Sequence, residues 1–384
     1  MITQVSAMKV TCLQENLARG LGIVGRAVAV RSTLPITSNV LISTDGGRIK
    51  LAATNLDIAL TCWIGGQIEE EGAITVQSRL LSDFVNSLPQ DKIELTLAPR
   101  SKQLKVKCAR NEATIGGIDA DDFPPIPAIE DGGTLEIDPK ALREAITQVV
   151  FSAATDDSRP VLTGVDVVLD GDTLTLAAAD GFRLAVRHLK LKKKVAEKQE
   201  VIVPARALSE LNRLLQDQDD PVQMTFNANR TQVLFQLKDI ELVAQLIQGT
   251  FPDYSRLIPK EWGSRAVVEV RDFLQETKIA SIFARDGSGI VRITFEGGEG
   301  GAPGKMTIAA RAEEIGDNHG DLDAQVEGEA SKIAFNGKYL QEVLQVLDGG
   351  RVALETTGPS QPGVIRPVDS ENYVHVVMPM FVQW

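Results

Sequence analysis

One passage of this chain is written three times. Ile74-Thr75-Val76-Gln77-Ser78-Arg79-Leu80-Leu81-Ser82-Asp83-Phe84 recurs as Val201-Ile202-Val203-Pro204-Ala205-Arg206-Ala207-Leu208-Ser209-Glu210-Leu211, then as Ile333-Ala334-Phe335-Asn336-Gly337-Lys338-Tyr339-Leu340-Gln341-Glu342-Val343, at offsets of 127 and 132 residues. Leu51-Ala52-Ala53, Leu176-Ala177-Ala178 and Ile308-Ala309-Ala310 follow at 125 and 132, and Phe123-Pro124, Phe251-Pro252 and Met378-Pro379 at 128 and 127. A chance match does not reappear elsewhere at near-constant spacing. The chain therefore reads as one domain of about 125 to 130 residues in three copies, expected over residues 1–131, 132–258 and 259–384. Triplication of a domain points to a structural role before a catalytic one.

Each copy opens with a short strand and an amphipathic helix, passes through strands separated by turn signals, and then repeats the strand-helix unit before further strands. Asp45-Gly46-Gly47, Asp170-Gly171-Asp172 and the glycines between Gly297 and Gly304 mark tight turns, and tight turns join antiparallel strands. The expected fold class is α+β, with two helices per copy packed on antiparallel sheet. In the second helix of each copy the apolar stripe is clear: Leu81, Phe84, Val85 and Leu88; Leu208, Leu211 and Leu215; Leu340, Val343, Leu344 and Leu347. Two positions ahead of that stripe stand Arg79, Arg206 and Lys338, at about 100° per residue on the face turned from the core. Three cations in one register imply one shared partner surface. The Pro-, Gly- and acid-rich segments 121–133 and 249–264 read as connectors, and the acidic stretch from Glu313 to Glu329 as a solvated loop or hairpin.

A net charge of −12 argues, as an average, against a nucleic-acid binder. Its distribution argues otherwise. The expected helices 13–31, 78–88, 139–155, 204–215, 270–285 and 336–347 hold 12 basic and 7 acidic residues, so the rest of the chain carries a net charge of −17. Basic helices on an otherwise acidic chain suit loose, salt-sensitive, sequence-independent contact with phosphates. At 5% aromatic residues there is no stacking platform for single strands.

Catalytic readings fare poorly. Gly20-Leu21-Gly22-Ile23-Val24-Gly25 has the spacing of a dinucleotide fingerprint, but it falls inside a helix-forming segment rather than between a strand and a helix start. No phosphate-binding GxxxxGK[ST] loop is present, and His188, His319 and His375 stand apart without ligand spacing. Asp121-Asp122 and Asp156-Asp157 lie beside Pro or Ser, where capping and turns are the common use. Cys12, Cys62 and Cys108 read as buried apolar thiols. No cofactor or metal is expected. With no run of about 20 apolar residues and no signal-peptide pattern, the chain is expected in the cytoplasm, off the membrane.

From Met8 to Val382 the chain resembles the bacterial DNA polymerase III beta subunit family. The carrying motifs are Ser32-Thr33-Leu34-Pro35-Ile36, Ala179-Asp180-Gly181-Phe182-Arg183-Leu184-Ala185-Val186, Phe251-Pro252-Asp253-Tyr254 and Val376-Val377-Met378-Pro379-Met380. The resemblance implies a non-enzymatic sliding clamp: a head-to-tail homodimer whose six domains encircle duplex DNA. The helices would line the hole. Partners would be double-stranded DNA, a second copy, and the polymerase III catalytic subunit, the clamp loader, other polymerases and repair proteins, the protein partners entering through a short linear peptide.

Carried over by position, the peptide groove comprises Leu162, Gly181, Phe182, Arg183, Leu184, Pro252, Leu257, Asn336, Tyr339, Val376, Val377, Met378, Pro379 and Met380. DNA-facing positions are Arg19, Arg31 and Arg79 from the resemblance, Arg206 and Lys338 from the repeat, and Arg143, Arg213 and Lys278 from charge and helix location. Ile282 and Phe283 match an apolar spot of the dimer contact. The chain departs from the family at Phe182, where histidine is common, at Pro160-Val161, where some members are more aromatic, and at its end, where Phe381-Val382-Gln383-Trp384 follows Met380. A repeat-built peptide-binding scaffold that never encircles DNA is the alternative, and an oxidoreductase using the glycine-rich segment a third reading.

Overall fold

The computed structural model describes residues 7–29, 34–98, 102–129, 133–285, 288–298, 303–312 and 316–384. Arg31, Ser32, Thr33 and residues 313–315 of the acidic stretch lie outside these. Six α-helices occur among the described residues: α1 Gln14–Val24, α2 Ser78–Ser87, α3 Pro139–Val149, α4 Ala205–Leu214, α5 Val270–Arg285 and α6 Gly337–Gln345. They fall where the periodicity places them. The first is shorter than expected, ending at Val24 and passing into a 3-10 turn at Gly25–Ala27. Every strand pairing between these segments is antiparallel.

The chain packs as two compact units, residues 1–140 with 210–246 and residues 141–209 with 247–384. The boundaries fall within the middle copy of the repeat, dividing its strands between two sheets.

In the first unit a 13-stranded sheet runs from Leu135–Ile137 through Val222–Phe226, Gln232–Gln236 and Ile240–Gln245 to Ile58–Ile64, and on through the strands of the first copy to Gln67–Glu70. The link is main-chain pairing of Ile240–Ala244 with Ile58–Cys62. Helices α1 and α2 pack together, burying Leu17, Leu21, Val24, Leu81 and Val85. Gly20 owes its place to this packing: a Cβ there would meet Leu51 Cδ1 at 2.6 Å and Ile64 Cγ2 at 3.1 Å. The first glycine of the spacing that mimics a dinucleotide fingerprint thus serves a close helix-sheet contact, while a Cβ at Gly22 would meet open space. Cys12, Cys62 and Cys108 are free and buried, and desolvation raises all three thiols, Cys12 to about 12 and Cys62 to about 11. Such thiols are inert.

In the second unit a 12-stranded sheet runs from Gln199–Pro204 through Gly164–Asp170, Thr173–Ala179 and Arg183–Lys190 to Tyr373–Val377, then through the third copy to an edge at Ser331–Asn336. Here Arg183–Arg187 pairs with Tyr373–Val377. Helices α5 and α6 pack together and bury Phe273, Ala280, Leu340, Val343 and Leu344. The acidic stretch forms the hairpin rather than the loop: Gly316–Gly328 is a 13-residue strand paired with Gly304–Ala312, with Asp317, His319, Asp321 and Asp323 on its exposed face. Of the paired carboxylates Asp156 serves a turn, its Oδ1 accepting from the Ser158 amide at 3.0 Å, while Asp121 and Asp122 lie in the 3-10 turn at Ala120–Asp122, which Asp119 caps.

One polar residue interrupts an apolar row in this unit. Ile202, Asp166, Ala177, Val186 and Val374 are successive cross-strand partners and so share a face. Asp166 is buried and its Oδ1 has no hydrogen-bond partner. Desolvation, aided by the Glu200 carboxylate and opposed by Lys198, raises its carboxyl to about 7. A folded-state value above the unfolded one means that stability is present at low pH and declines as pH climbs from the unfolded pKa towards 7. Asp166→Asn should therefore match the parent chain below pH 4 and exceed it increasingly to neutrality, by about 1–3 kcal/mol at pH 8, as read by urea denaturation across that range.

Candidate peptide-binding groove and basic helices

The groove residues all lie in the second unit, and a tight turn organises them. Asp180 Oδ1 accepts from the amides of Phe182 and Arg183 at 2.8 and 3.0 Å, closing an Asx turn. Gly181 sits in this turn at φ +93°, where an L side chain is strained, and a Cβ would meet Arg159 Nη1 at 2.7 Å. The turn leaves Phe182 58% exposed while its carbonyl accepts the Met378 amide at 2.8 Å. Main-chain bonding thus sets the 181–183 turn beside the 376–380 segment.

Arg183 is the hub. Its guanidinium donates to Asp180 Oδ2 at 3.1 Å, to the Phe151 carbonyl at 2.7 Å and to Glu342, and stacks 4.4 Å from the Tyr339 ring centroid and 5.3 Å from that of Phe151. It is buried, so its donors serve the scaffold. Behind it His375 is fully buried between Phe151 and Tyr373, with both ring nitrogens unpartnered. Burial, and then the Arg183 charge, lowers it to about 3, which keeps it neutral.

Two apolar clusters meet under the turn. Leu184, Val376, Val186, Val364, Val374 and Ala177 form one; Leu162, Ala154, Ile202 and Phe251 form the other; Ala179 and Tyr254 pack against both. Burial raises the Tyr254 phenol to about 12. Within this set Leu184, Val376 and Val377 are buried supports, whereas Phe182, Pro252, Leu257 and Met378 are exposed and Tyr339, Pro379 and Met380 half-buried. Asn336 caps α6, its Oδ1 accepting from the Lys338 amide at 2.9 Å. Asp180, Phe151, Tyr254 and Glu342 were missed by sequence reasoning. Asp180, Tyr254 and Glu342 carry a signal there, the first two within the motifs of the resemblance and Glu342 within the repeated passage, whereas Phe151 carries none.

The same turn occurs in the first unit, where Asn55 Oδ1 accepts from the amides of Asp57 and Ile58 at 3.0 and 2.8 Å and Leu56 takes φ +79°. Beside it Leu56, Pro124, Pro125, Ile126, Pro127 and Val243 help line a cavity of 210 Å³.

Among the basic positions within the described residues, Arg19, Arg79 and Arg213 of the first unit and Arg143, Arg206, Lys278 and Lys338 of the second are all exposed. In each of their few ion pairs the cation is open to solvent: Arg79 to Asp83 at 3.8 Å, Arg213 to the buried Glu210 at 3.0 Å and Lys338 to Glu342 at 3.8 Å. Such pairs are weak and leave the cations free for phosphate. Ile282 is 60% exposed on α5 and Phe283 half-buried; Ile282, Lys278 and Lys338 line one cavity of 430 Å³.

Three family models match in order: the DNA polymerase III beta subunit N-terminal domain over residues 8–127, its central domain over 136–253 and its C-terminal domain over 255–381. The beta sliding clamps of Synechocystis sp. and Bacillus subtilis are 31% and 30% identical, each over 97% of this chain and 99% of the relative. The solved structure of the Bacillus subtilis DNA polymerase sliding clamp matches with TM-score 0.93 at 30% identity, over 98% of this chain and 100% of that one. A Pseudomonas aeruginosa sliding clamp solved with bound griselimycin matches with TM-score 0.89 at 28% identity, over the same shares.

Removing the hub side chain leaves Asp180 without its cation and Glu342 with only the solvent-exposed Lys338. Arg183→Ala should cost about 3 kcal/mol of stability, and Arg183→Lys should recover little, because an ammonium cannot reproduce the fork; denaturant midpoints of the three chains measure both.

Proposed function

The chain belongs to the DNA polymerase III beta subunit family, and on that premise we propose that it is a sliding clamp: two copies close head to tail around duplex DNA and tether polymerases and other DNA-processing proteins that dock through a short peptide. It works without catalysis, raising the effective concentration of a tethered enzyme at its template. The proposed domains are residues 1–131, 132–258 and 259–384.

The observation that carries ring closure is a repeated joint. Between the first and second copies Leu60 pairs with Leu242, and between the second and third Ala185 pairs with His375. Leu60, Ala185 and Asn318 are equivalent, each lying opposite the last alanine of its Leu/Ile-Ala-Ala motif. Leu242, His375 and Ala113 are equivalent by the same counting, reached by cross-strand steps from Val10, Leu135 and Ala266, each four residues ahead of its helix. Two such joints exist within the chain.

The halves of a third are unpaired among the described residues. Asn111–Ile118 pairs outward only at Gly117 and Ile118, and Gly316–Gly328 only from Gln325 onward. Free edges of this length are normally covered. A second copy covers both at once, setting Asn318 of one chain opposite Ala113 of the other. Exposed Ile282 supports this placing, since α5 packs on the strand that offers the edge.

Basic residues exposed on helices supply the loose phosphate contact that lets an encircling ring slide. For the partner peptide, Phe182, Leu257, Met378 and Met380 form an adaptable apolar slot.

With all three native thiols buried, cysteines placed at 113 and 318 should form a reducible covalent dimer under mild oxidation, whereas cysteines at 113 and 317 should not; monomers from both would overturn the joint. Combined Arg79→Glu, Arg206→Glu and Lys338→Glu should leave thermal stability nearly unchanged and lower processive synthesis at least tenfold. Undiminished product length in a primer-extension assay would remove these residues from the DNA-facing surface.

A further inference from the structure

Past Met380 the chain continues as Phe381-Val382-Gln383-Trp384, and this segment is fastened. The Met380 amide donates to the Ala334 carbonyl at 2.7 Å, on the outer edge of the sheet's last strand. Arg292, the cross-strand partner of Ala334, donates from Nη2 to the Gln383 carbonyl at 3.3 Å. Lys332 Nζ lies 5.2 Å from the Trp384 ring centroid, a cation-π contact. Backbone on both sides of Phe381 is thereby tied to one edge.

Between these ties Phe381 is 86% exposed. An untethered terminal Phe turns onto the nearest apolar surface to leave water; one on a fixed backbone cannot. Three residues of extended chain, at most about 10 Å, separate it from exposed Met378, which is bonded to the Phe182 turn. Exposed apolar side chains concentrated in this way mark a contact surface. The fastening cations Arg292 and Lys332 make its flank positive.

We propose that the C-terminal segment is a strap that holds Phe381 as an added apolar wall of the groove, so that this protein selects peptides in which a bulky apolar residue, followed by a carboxylate, lies beyond the part seated at Met378. The inference rests on the groove reading above. Its occupant is the exit end of the same partner peptide. Phe381 sets specificity, and Lys332 and Trp384 position it.

The test uses the full chain and a fluorescent peptide carrying the family's short clamp-binding motif, made in two versions with Phe or Ala as the last residue. The Phe version should bind five- to tenfold tighter by anisotropy. Phe381→Ala should bring that ratio close to one by weakening the Phe version alone, and Trp384→Ala should bring it part of the way. Met378→Ala should weaken both versions. A ratio untouched by Phe381→Ala overturns the strap, whereas binding untouched by Met378→Ala, or no binding of either version to the parent chain, overturns the groove on which it rests.

Discussion

Antiparallel main-chain pairing that continues from one copy of the repeat into the next is the constraint on which the rest of this structure depends. A strand at the edge of one copy's share of the sheet would expose a row of amides and carbonyls; at Ile58–Cys62 and at Arg183–Arg187 those groups are satisfied by a strand from the following copy. Side chains add to this but do not replace it. The pairing at 183–187 also aligns the 181–183 turn with Met378, so the groove inherits its geometry from the sheet.

Upon that frame Arg183 ties three elements that the sheet alone leaves separate: the Asp180 turn, the Phe151 carbonyl after α3, and α6 through Glu342 and Tyr339. A buried guanidinium engaged on every side is a rigid spacer, and it fixes the α6 end of the groove relative to the turn. The apolar residues on view there, Phe182, Leu257 and Met378, stay exposed because the backbone beneath them is held.

Much of this was legible in the chain itself. Helix positions followed from the stripes Leu81-Val85-Leu88 and Leu340-Val343-Leu347, because burial of one face imposes the 3.6-residue period whatever the partner. The turn at Asp45-Gly46-Gly47 was equally plain, since both glycines take positive φ, as a two-residue hairpin requires. The turn at Leu56 was not, for a leucine at φ +79° announces nothing; the Asn55 side chain, accepting from two amides, and Thr54 Oγ1, accepting from the Leu56 amide, hold it there. Arg183 read as a groove residue because its motif did, yet its donors are internal, and no local pattern foretells a partner 159 positions away at Glu342. Asp166 was invisible for the same reason: a single acid in an apolar strand declares its burial only once its neighbours are known.

The division of the middle copy between two units has a consequence for how the chain acquires its structure. Its late strand Ile240–Gln245 completes a sheet begun at Ile58–Ile64, and its earlier strand Arg183–Lys190 waits for Tyr373–Val377, so each sheet closes over a stretch of well over a hundred residues. Loops of that span make closure slow. During synthesis the first sheet can seal while the third copy is still being made, but the 183–187 edge stays bare until residues 373–377 have been made. A ribosome that stops in the third copy before Tyr373 releases a chain with an open, sticky strand, which makes synthesis through Val377 a condition of escaping aggregation.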